Sequence, residues 1–572
     1  MRPYFVALLI ACSFLLSIVD TESYGVEDTT EIITPSIVEV HQTCGPNTFS
    51  NGVKSAFDRE SDLDKYSSAQ LYLTKEWVVV FKEPHCTYEF SEIIDNSRIE
   101  AYHDFDILSG TWIVEFQTGD LALQYLNELD DLGYIWKFYP LVENDIDLRY
   151  EPNDPYYESG DQWYLDNYGQ NSGTSGIDLN TQGAWSEFTG DGVVIGVVDD
   201  GIDYDNPDLS PNFLTDESYD FCEDDDDVMP VDSYDGDGVN EVDWHGTAVA
   251  GIVAGKGDND IGIAGVAYNA SLVGLRLVAG DCDFEYAENG MPNDEAVANT
   301  FLHEIEAIDI YTNSWGPYDS GNILGGAGPL AIAALEVGVS EGRDGLGAIY
   351  TWANGNGLDN EDQSNKDSFA NSRYTISVGA VDWQGEQTWY SETGPNMLVS
   401  APSNNYWSDP AVFTTDVSGS EGDDSSDYTP NMGGTSAATP MVAGVVALML
   451  EANQNLTWRD VQHILVQTSR KVDLDHPGWF QTKEGYWYNH AYGYGLVDAT
   501  SAVNMAKSWQ TVDSEIFVNA GEITVDTYIP DNSDNGISST VIVNQSINIE
   551  NVEVLVDIWH DWRGDLSLFL TS

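Results

Sequence analysis

Between residues 150 and 509 the sequence alternates apolar runs of strand length with helix-like segments. Three of these runs are VVIGVV at 193, LVGLRLV at 272 and YTISVGAV at 374, and IDIYTNSW at 308 and AIYTWANG at 348 follow the same pattern. Strands that are buried on both faces have nearly continuous apolar sequences, and they occur in parallel sheets covered by helices. The alternation therefore predicts an α/β fold, with a mostly parallel sheet and helices on both of its faces.

The segments on either side of this region have other patterns. Residues 26–149 contain the strand-like pieces WVVVF at 77 and TWIVEF at 111 and a helix-like segment at 120–131, which predict a small α+β module. Within 510–572, the runs EITVDTYI, STVIVNQSI, EVLVDIWHDW and LSLFLTS predict strands of a β domain that is incomplete at residue 572. The predicted domains are therefore 26–149, 150–509 and 510–572.

The N-terminus has the features of a secretory signal peptide. One arginine stands near the start of residues 1–25, and an apolar run and a polar segment follow it. A signal anchor is the alternative, because the segment has no clear small-x-small cleavage motif. No later segment contains about 18 uninterrupted apolar residues, so the sequence predicts no second membrane span.

Charge and cysteine content limit the function classes. The chain has 97 acidic and 20 basic residues, a formal charge of −77, which argues against nucleic acid or anionic membranes as partners. Basic substrates, divalent cations and a solubilising surface remain as reasons for this excess. Outside the signal, Cys44, Cys86, Cys222 and Cys282 are too far apart in sequence for a clustered zinc site. In an oxidising compartment, Cys44 with Cys86 and Cys222 with Cys282 could form disulfides.

Three residues of the α/β region suit nucleophilic serine catalysis. Asp199 follows the apolar run VVIGVV, His245 lies in DWHGTAVAGIVAG at the predicted start of a helix, and Ser436 lies in GGTSAATPMVAGVVALMLEA before a long apolar helix. A serine nucleophile needs an imidazole to accept its proton and a carboxylate to fix the imidazole tautomer. The order acid, histidine, serine on a parallel α/β fold is the subtilisin order.

The motifs DDGI, HGT, SWGP, ANGNG, WYSE and GTSAATP, with EANQNLTWRDVQHILVQTS and YGYGLVDA, resemble those of the kexin/furin proprotein convertases, a branch of the subtilisin-like serine proteases. The resemblance covers residues 150–509. Residues 26–149 are similar in layout to the family's pro-domain, and 510–572, with WRGDLSLFL, resemble the start of its β-sandwich P domain.

This resemblance implies a calcium-dependent, monomeric serine endopeptidase that forms an acyl-enzyme and cleaves proproteins or peptides after basic residues. It implies that the chain's own pro-domain is an intramolecular inhibitor. It further implies that the protein belongs to the secretory pathway or is secreted, with a membrane anchor beyond residue 572 left open.

The resemblance also implies roles for individual residues. Asp199, His245 and Ser436 are the implied triad, and Asn356 in TWANGNG is the implied side-chain donor of the oxyanion hole, together with the main-chain N–H of Ser436. An amide placed for the developing negative charge is worth about 2.7–4 kcal/mol in such sites. The implied substrate contacts are the edge strand Ser314, Trp315 and Gly316, the P1 carboxylates Asp319 and Asp367, and the P2 carboxylates Asp200 and Asp243.

Three calcium sites follow from the resemblance, and their ligands are the hard oxygens that Ca²⁺ prefers. For the third site, which lies in the acidic run CEDDDD, a solvated loop without metal is the alternative. The implied first site comprises Asp154, Asp208, Asn259 and the carbonyls of Lys256, Ile261 and Ile263, the second comprises Asp319, Asp362 and Glu392, and the third comprises Asp220, Asp225 and Asp227.

Two features depart from the family pattern. Where the family has acids that favour Arg at P4, the matching residues here are Gly325 and Val297, and Glu295 is out of register. The segment LVENDIDLRYEPNDP, before the α/β region, has one basic residue, Arg149, and Leu148 precedes it. The sequence therefore predicts that P4 Arg is not required, and it leaves the P2 preference open. A general degradative subtilase and an inactive acidic calcium-binding protein are the alternative functions.

Overall fold

The computed structural model describes a large part of the chain, which divides into two compact units, residues 1–146 and 147–572. The predicted signal peptide, Cys44, Cys86, Leu148 and Arg149 lie outside the described residues. The described residues are 54, 57, 61, 63, 74–82, 98–104, 110–141, 150–234, 240–279, 282, 292–405, 410–530, 536–545, 547–560 and 566–570.

The described residues of the first unit include a four-stranded antiparallel sheet and a helix that packs against it. Its elements are β1 (Glu76–Phe81), β2 (Ile99–Asp104), β3 (Thr111–Phe116), α1 (Gly119–Asp131) and β4 (Ile135–Pro140), and the strand order is β2-β3-β1-β4. Successive residues of a strand point to opposite faces, and in β1 Trp77, Val79 and Phe81 pack in the cluster that includes residues of α1. Val78 and Val80 pack with Phe57 on the opposite face. The predicted small α+β module is therefore present.

The second unit is built on a seven-stranded parallel sheet in the order β13-β12-β11-β10-β5-β9-β6. Three antiparallel pairs, β7 with β8, β14 with β15 and β16 with β17, are separate from it. The strands of the large sheet are β5 (Val194–Asp199), β6 (Tyr219–Asp220), β9 (Ser271–Arg276), β10 (Ile310–Asn313), β11 (Ile349–Ala353), β12 (Thr375–Val381) and β13 (Val399–Pro402). Those of the pairs are β7 (Asp232–Tyr234), β8 (Asn240–Val242), β14 (Val412–Thr415), β15 (Tyr428–Met432), β16 (Phe480–Gln481) and β17 (Trp487–Tyr488).

Helices cover both faces of the large sheet. The helices of this unit are α2 (Pro155–Glu158), α3 (Gln182–Trp185), α4 (His245–Ala254), α5 (Asp294–Leu302), α6 (Pro329–Gly345), α7 (Gly434–Ala452), α8 (Trp458–Thr468) and α9 (Ala499–Ala506). On one face Val197 of β5 packs in a cluster with residues of α4 and α7. On the other face its neighbour Val198 packs in a cluster with residues of α5 and α6. Burial on both faces is the reason that most residues of these strands are apolar, and it confirms the predicted α/β fold.

Two further features bear on the sequence predictions. Cys222 and Cys282 form a disulfide, which is one of the two predicted pairings. Of the helices in the described residues, α7 is long and apolar enough by composition to cross a membrane, and 89% of its apolar window is buried inside the protein. That helix carries Ser436 and packs against β10, β11 and β12.

The C-terminal segment differs from the prediction. The described residues after α9 form no strand, and large apolar side chains among them, such as Phe517, Leu555 and Trp559, are exposed. The strands of a sandwich bury their apolar faces against a second sheet, and the described part of 510–572 provides no such sheet. The β-sandwich domain in 510–572 therefore stays a prediction from the sequence.

Candidate active site

The candidate catalytic residues meet at one edge of the large sheet. Asp199 is the last residue of β5, Ser314 follows β10, and Asn356 comes three residues after β11. These three strands are neighbours and run parallel, so their carboxyl ends lie side by side. His245 begins α4, and Ser436 is in the first turn of α7. The fold therefore brings together residues that are up to 237 positions apart (436 − 199).

Asp199 and His245 form a direct pair. Oδ1 of Asp199 lies 2.7 Å from Nδ1 of His245, and it also accepts the main-chain N–H of Asp200 at 2.9 Å. Burial lowers the pKa of the His245 imidazole, but the charge and hydrogen bond of Asp199, together with the charge of Asp200, outweigh burial and raise that pKa. A carboxylate on Nδ1–H leaves Nε2 as the atom that can accept a proton. His245 is thus oriented as a general base.

Ser436 is held against the end of β10. Its Oγ donates to the carbonyl of Ser314 at 3.1 Å, and Oγ of Ser314 donates back to the carbonyl of Ser436 at 3.0 Å. In this conformation the Ser436 hydroxyl must rotate before it can donate to His245. Catalytic hydrogen bonds are often completed only when substrate is bound. The reciprocal pair fixes the position of the nucleophile's backbone beside the predicted substrate-binding strand.

Asn356 is oriented by the residue that precedes the nucleophile. Its Oδ1 accepts from the main-chain N–H of Thr435 at 2.9 Å and from Oγ1 of Thr435 at 3.0 Å. With the oxygen bound on that side, the amide NH₂ is the part of Asn356 that can donate to a substrate oxyanion. The sequence motifs predicted roles for Asn356 and Ser436, but they did not indicate Thr435 as the link between them.

A cavity of about 260 Å³ connects the nucleophile with a group of acids. Asp367 lies behind Gly316, where a Cβ added to the glycine would be 3.2 Å from Oδ2 of Asp367. Burial, reinforced by the charges of Asp319 and Asp362, raises the pKa of Asp367 to about 7. A buried carboxylate of this kind gains from a cationic partner. The lining includes Ser314, Trp315, Gly316, Asp319, Asn356, Asp362, Lys366, Asp367, Glu392 and Ser436.

Asp319, Asp362 and Glu392 surround Gly357 beside this cavity. A Cβ on Gly357 would lie 3.0 Å from Cβ of Asp319, 2.9 Å from Cβ of Asp362 and 3.0 Å from Oε1 of Glu392. Burial and then the charge of Asp362 raise the pKa of Glu392 to about 8. Nζ of Lys366 is 3.5 Å from Oδ1 of Asp362. The three acids of the second implied calcium site therefore lie together, and their oxygen donors suit Ca²⁺.

The side chains of the first implied calcium site also lie close together. Asp154 and Asp208 are fully buried, and the Asn259 side chain donates to Oδ1 of Asp208 at 2.8 Å. Burial raises the pKa of Asp154 to about 6, and Asp208 is one of the charges that add to this effect. The loop packs against Asp208: the main-chain N–H of Lys256 donates to the Asp208 carbonyl, and the N–H of Ile263 donates to Oδ2 of Asp208. Within the loop, Asn259 Oδ1 accepts from the N–H of Ile261. The two buried acids supply oxygen atoms of the kind that a hard cation prefers, and in this structure the Asn259 amide nitrogen and the main-chain N–H of Ile263 donate to the two carboxylate oxygens of Asp208.

The third implied site has a different arrangement. Oδ2 of Asp220 accepts from the buried Arg276 at 2.8 Å, and its Oδ1 accepts from the main-chain N–H of Cys222 at 2.6 Å. Asp225 and Asp227 are exposed, and Oδ1 of Asp227 accepts from Tyr204. Because a guanidinium already neutralises Asp220, the structure gives no support to calcium there. Although Asp319, Asp362 and Glu392 are neighbours, no group of three or more His, Cys, Asp or Glu side chains in the described ranges is close enough together to hold a metal ion in this structure.

Arg276 is a residue whose role the sequence reasoning missed. It is 1% exposed, and its Nε donates to the carbonyl of Asp200 at 3.0 Å. Its Nη2 lies 3.9 Å from Oδ2 of Asp243. The signal was one arginine within the apolar run LVGLRLV, because a buried arginine requires acceptors nearby. Asp200 and Asp243, the implied P2 acids, are thus both part of the structure around Arg276, and neither is among the described residues that line the cavity.

The comparisons with known proteins give the family. Residues 190–495 match the peptidase S8 family, described as the subtilase family. The chain belongs to the subtilase family. Human neuroendocrine convertase 2 is 38% identical over 439 residues, which cover 75% of this chain and 65% of that protein. Furin-like protease 1, isoform 1-CRR, of Drosophila melanogaster is 37% identical over 412 residues, 72% of this chain and 35% of that protein.

A solved structure is similar to this subtilase as well. The serine protease of Aeromonas sobria superposes with a TM-score of 0.56 at 26% identity, over 65% of this chain and 70% of that one. These comparisons confirm three predictions: the subtilisin-like fold, the resemblance to the kexin/furin branch and the class of serine endopeptidase. The chain spans less than two thirds of the length of either convertase relative.

Proposed function

We propose that this subtilase is a calcium-dependent serine endopeptidase that cleaves proproteins or peptides after basic residues. The observation that carries the proposal is the cavity lined by both Ser436 and the acids Asp319 and Asp367. A guanidinium or ammonium group that enters it would form charge-assisted hydrogen bonds with a carboxylate that burial has left without its solvent shell. The proposal therefore assigns these two acids to the P1 side chain.

The chemistry follows from the positions of four side chains. The peptide pairs along Ser314–Gly316, and Ser436 Oγ attacks its carbonyl carbon while His245 Nε2 accepts the hydroxyl proton. Asp199 stabilises the imidazolium that forms. The oxyanion receives hydrogen bonds from the Asn356 amide and the Ser436 N–H. His245 then protonates the leaving amine. In the second step His245 accepts a proton from water, and that water hydrolyses the acyl-enzyme.

The subsite for P4 supports a relaxed specificity. A Cβ at Gly325 would lie 2.5 Å from Cβ of Pro317, so this position has no room for an acidic side chain unless the proline shifts. Val297, the other matching residue, lies on α5 and is buried in the cluster with residues of α6. Tyr318 and Ile323, which line the cavity, are exposed and uncharged. We therefore expect that Arg at P4 is not required. Cleavage after Arg149 would need the same tolerance, because no basic residue stands at the P4 position of that site.

Calcium, the pro-domain and the compartment belong to the same proposal. Asp154, Asp208 and Asn259 would hold one ion and Asp319, Asp362 and Glu392 another, and bound calcium would neutralise these buried acids. The first unit would be the inhibitory pro-domain. The Cys222–Cys282 disulfide supports an oxidising compartment, since such bonds persist in secreted proteins.

The decisive experiment is a panel of fluorogenic peptides that differ only at P1, assayed with the processed protein and with a Ser436→Ala control. We expect kcat/KM for Arg and Lys to exceed that for Leu by about 100-fold, since a desolvated charge pair contributes about 2–5 kcal/mol. Equal turnover of Arg and Leu would instead support the degradative subtilase, which the uncharged P4 positions favour. Absence of hydrolysis and of fluorophosphonate labelling at Ser436 would support the inactive calcium-binding alternative.

A further inference from the structure

The acidic wall of the cavity beside Ser436 includes a cation of its own. The described residues that line this cavity include one basic residue, Lys366. Its side chain is 23% exposed, so the ammonium group is partly shielded from water. A cation that gives up part of its hydration needs oxygen acceptors in its place. The acids of the wall are Asp319, Asp362, Asp367 and Glu392.

The ammonium group of Lys366 has three oxygen atoms around it. Its Nζ donates to the carbonyl of Gly321 at 3.1 Å and to the carbonyl of Glu361 at 3.0 Å. The same Nζ lies 3.5 Å from Oδ1 of Asp362. A lysine ammonium has three N–H donors and no acceptor, so such an environment suits it. Carbonyl and carboxylate oxygens are also the ligands that Ca²⁺ prefers.

The contacts of Lys366 connect two loops that carry acids of the wall. Gly321 is two residues after Asp319, and Glu361 directly precedes Asp362. The loops are in close contact, because a Cβ on Gly321 would lie 2.7 Å from the carbonyl oxygen of Glu361. The carboxylates of Asp319 and Asp362 repel each other across this contact. The ammonium group therefore holds together two loops whose charges oppose their approach.

We infer that Lys366 is an internal counter-ion of the acidic wall and that it weakens the binding of calcium at Asp319, Asp362 and Glu392. The inference rests on the proposed function, which places a calcium ion at these three acids. Like charges near one carboxylate repel each other, so the ammonium group and Ca²⁺ compete for Asp362. When calcium is absent, the ammonium group neutralises Asp362 and the two loops keep their contact.

Isothermal titration calorimetry with CaCl₂ tests this role. The protein is the full chain with Ser436→Ala, which prevents self-cleavage, and binding at the second proposed site is the part that is lost with Glu392→Gln. We expect Lys366→Gln to bind calcium about 10-fold more tightly at this site, an effect of the size that one neighbouring charge has at a partly exposed position. Lys366→Arg keeps the charge and should not show this increase.

Thermal unfolding of the same proteins supplies a second readout. In EDTA, Lys366→Gln should unfold at a lower temperature than the Ser436→Ala chain, because removing one partner leaves the charge of Asp362 uncompensated. Saturating calcium should reduce that difference, since the variant gains more from the ion. Lys507→Gln is the matched control: it makes the same change in net charge at an ion pair with Glu187, and neither residue is among those that line the cavity. Its calcium affinity should be unchanged.

An unchanged or weaker calcium affinity of Lys366→Gln would overturn the inference, and so would an equal gain in Lys507→Gln, since net charge alone would then explain it. If Lys366→Gln yields no folded protein by circular dichroism, Lys366→Met replaces it with the same expectations. If no calcium binding depends on Glu392 in any of these proteins, the second proposed ion and the inference fail together. Failure of the proposed specificity looks different, because it is seen as equal turnover of P1 Arg and P1 Leu peptides.

Discussion

Substitution of Asn356 by Ala tests the proposed oxyanion hole directly. The amide is fixed by two hydrogen bonds from Thr435, so it needs no reorganisation when charge develops on the substrate. Removing such a donor costs about 2.7–4 kcal/mol of transition-state stabilisation, or about 10²–10³-fold in kcat. KM should change little, because the amide contributes only after the carbonyl oxygen becomes charged.

The same substitution has a second, separable effect on stability. Thr435 is fully buried, and without Asn356 its N–H loses its acceptor, at a cost of about 1–3 kcal/mol in the free energy of unfolding. Steady-state kinetics with a P1 Arg peptide measure the first effect, and urea unfolding measures the second. Thr435→Val, which removes only the Oγ1 donor, should reduce kcat less than Asn356→Ala. A kcat loss below about tenfold for Asn356→Ala, in folded protein, would refute the assignment of this amide to the oxyanion.

Three further predictions concern metal, protonation and specificity. Chelation with EDTA should lower the unfolding temperature of wild type, and Asp208→Asn should remove the part of that difference that comes from the first proposed ion; calcium at about 100 times its Kd would stabilise by about 2.7 kcal/mol for each site. Asp199→Asn should reduce kcat about 10⁴-fold. It should also move the acidic limb of kcat/KM to lower pH, because the charge that raises the pKa of His245 is gone and the imidazole must be neutral to act as a base. An unmoved limb would contradict the pairing of Asp199 with His245. Peptides with Ile or Arg at P4 should differ less than about threefold in kcat/KM, whereas a P4 carboxylate pocket would favour Arg by about 30-fold or more.

Several parts of the fold could be predicted because they depend on local patterns. Apolar runs of strand length alternate with helical segments, and burial on both faces requires that pattern, so the large parallel sheet was predictable. The motifs around Asp199, His245 and Ser436 located one edge of that sheet, where neighbouring strands end together. Apolar runs alone were not sufficient for the segment after residue 510, because strands also need a second sheet to cover them, and the described residues there form none.

The charged residues were predictable in position but not in partner. Resemblance suggested a calcium site at Asp220, Asp225 and Asp227, yet Asp220 is neutralised by Arg276, which lies in a strand 56 residues away. Resemblance had suggested that Asp243 faces a substrate residue, and the structure places it beside that guanidinium, a partner that the sequence did not indicate. A carboxylate looks the same in sequence whether a metal, an arginine or a substrate will neutralise it.

The sequence by itself determined which side chains stand at the ends of the strands, since the strand pattern places Asp199 and Asp200 directly after a buried run. Only the tertiary structure decided that one of them meets an imidazole and the other meets two main-chain N–H groups. The physical reason is that both partners come from the start of α4, 46 and 45 positions away, respectively, and a contact over that distance depends on how the helix packs on the sheet. The motifs singled out Asp199 of the two adjacent aspartates, and the close packing at Gly246 shows how both of them reach the start of the same helix.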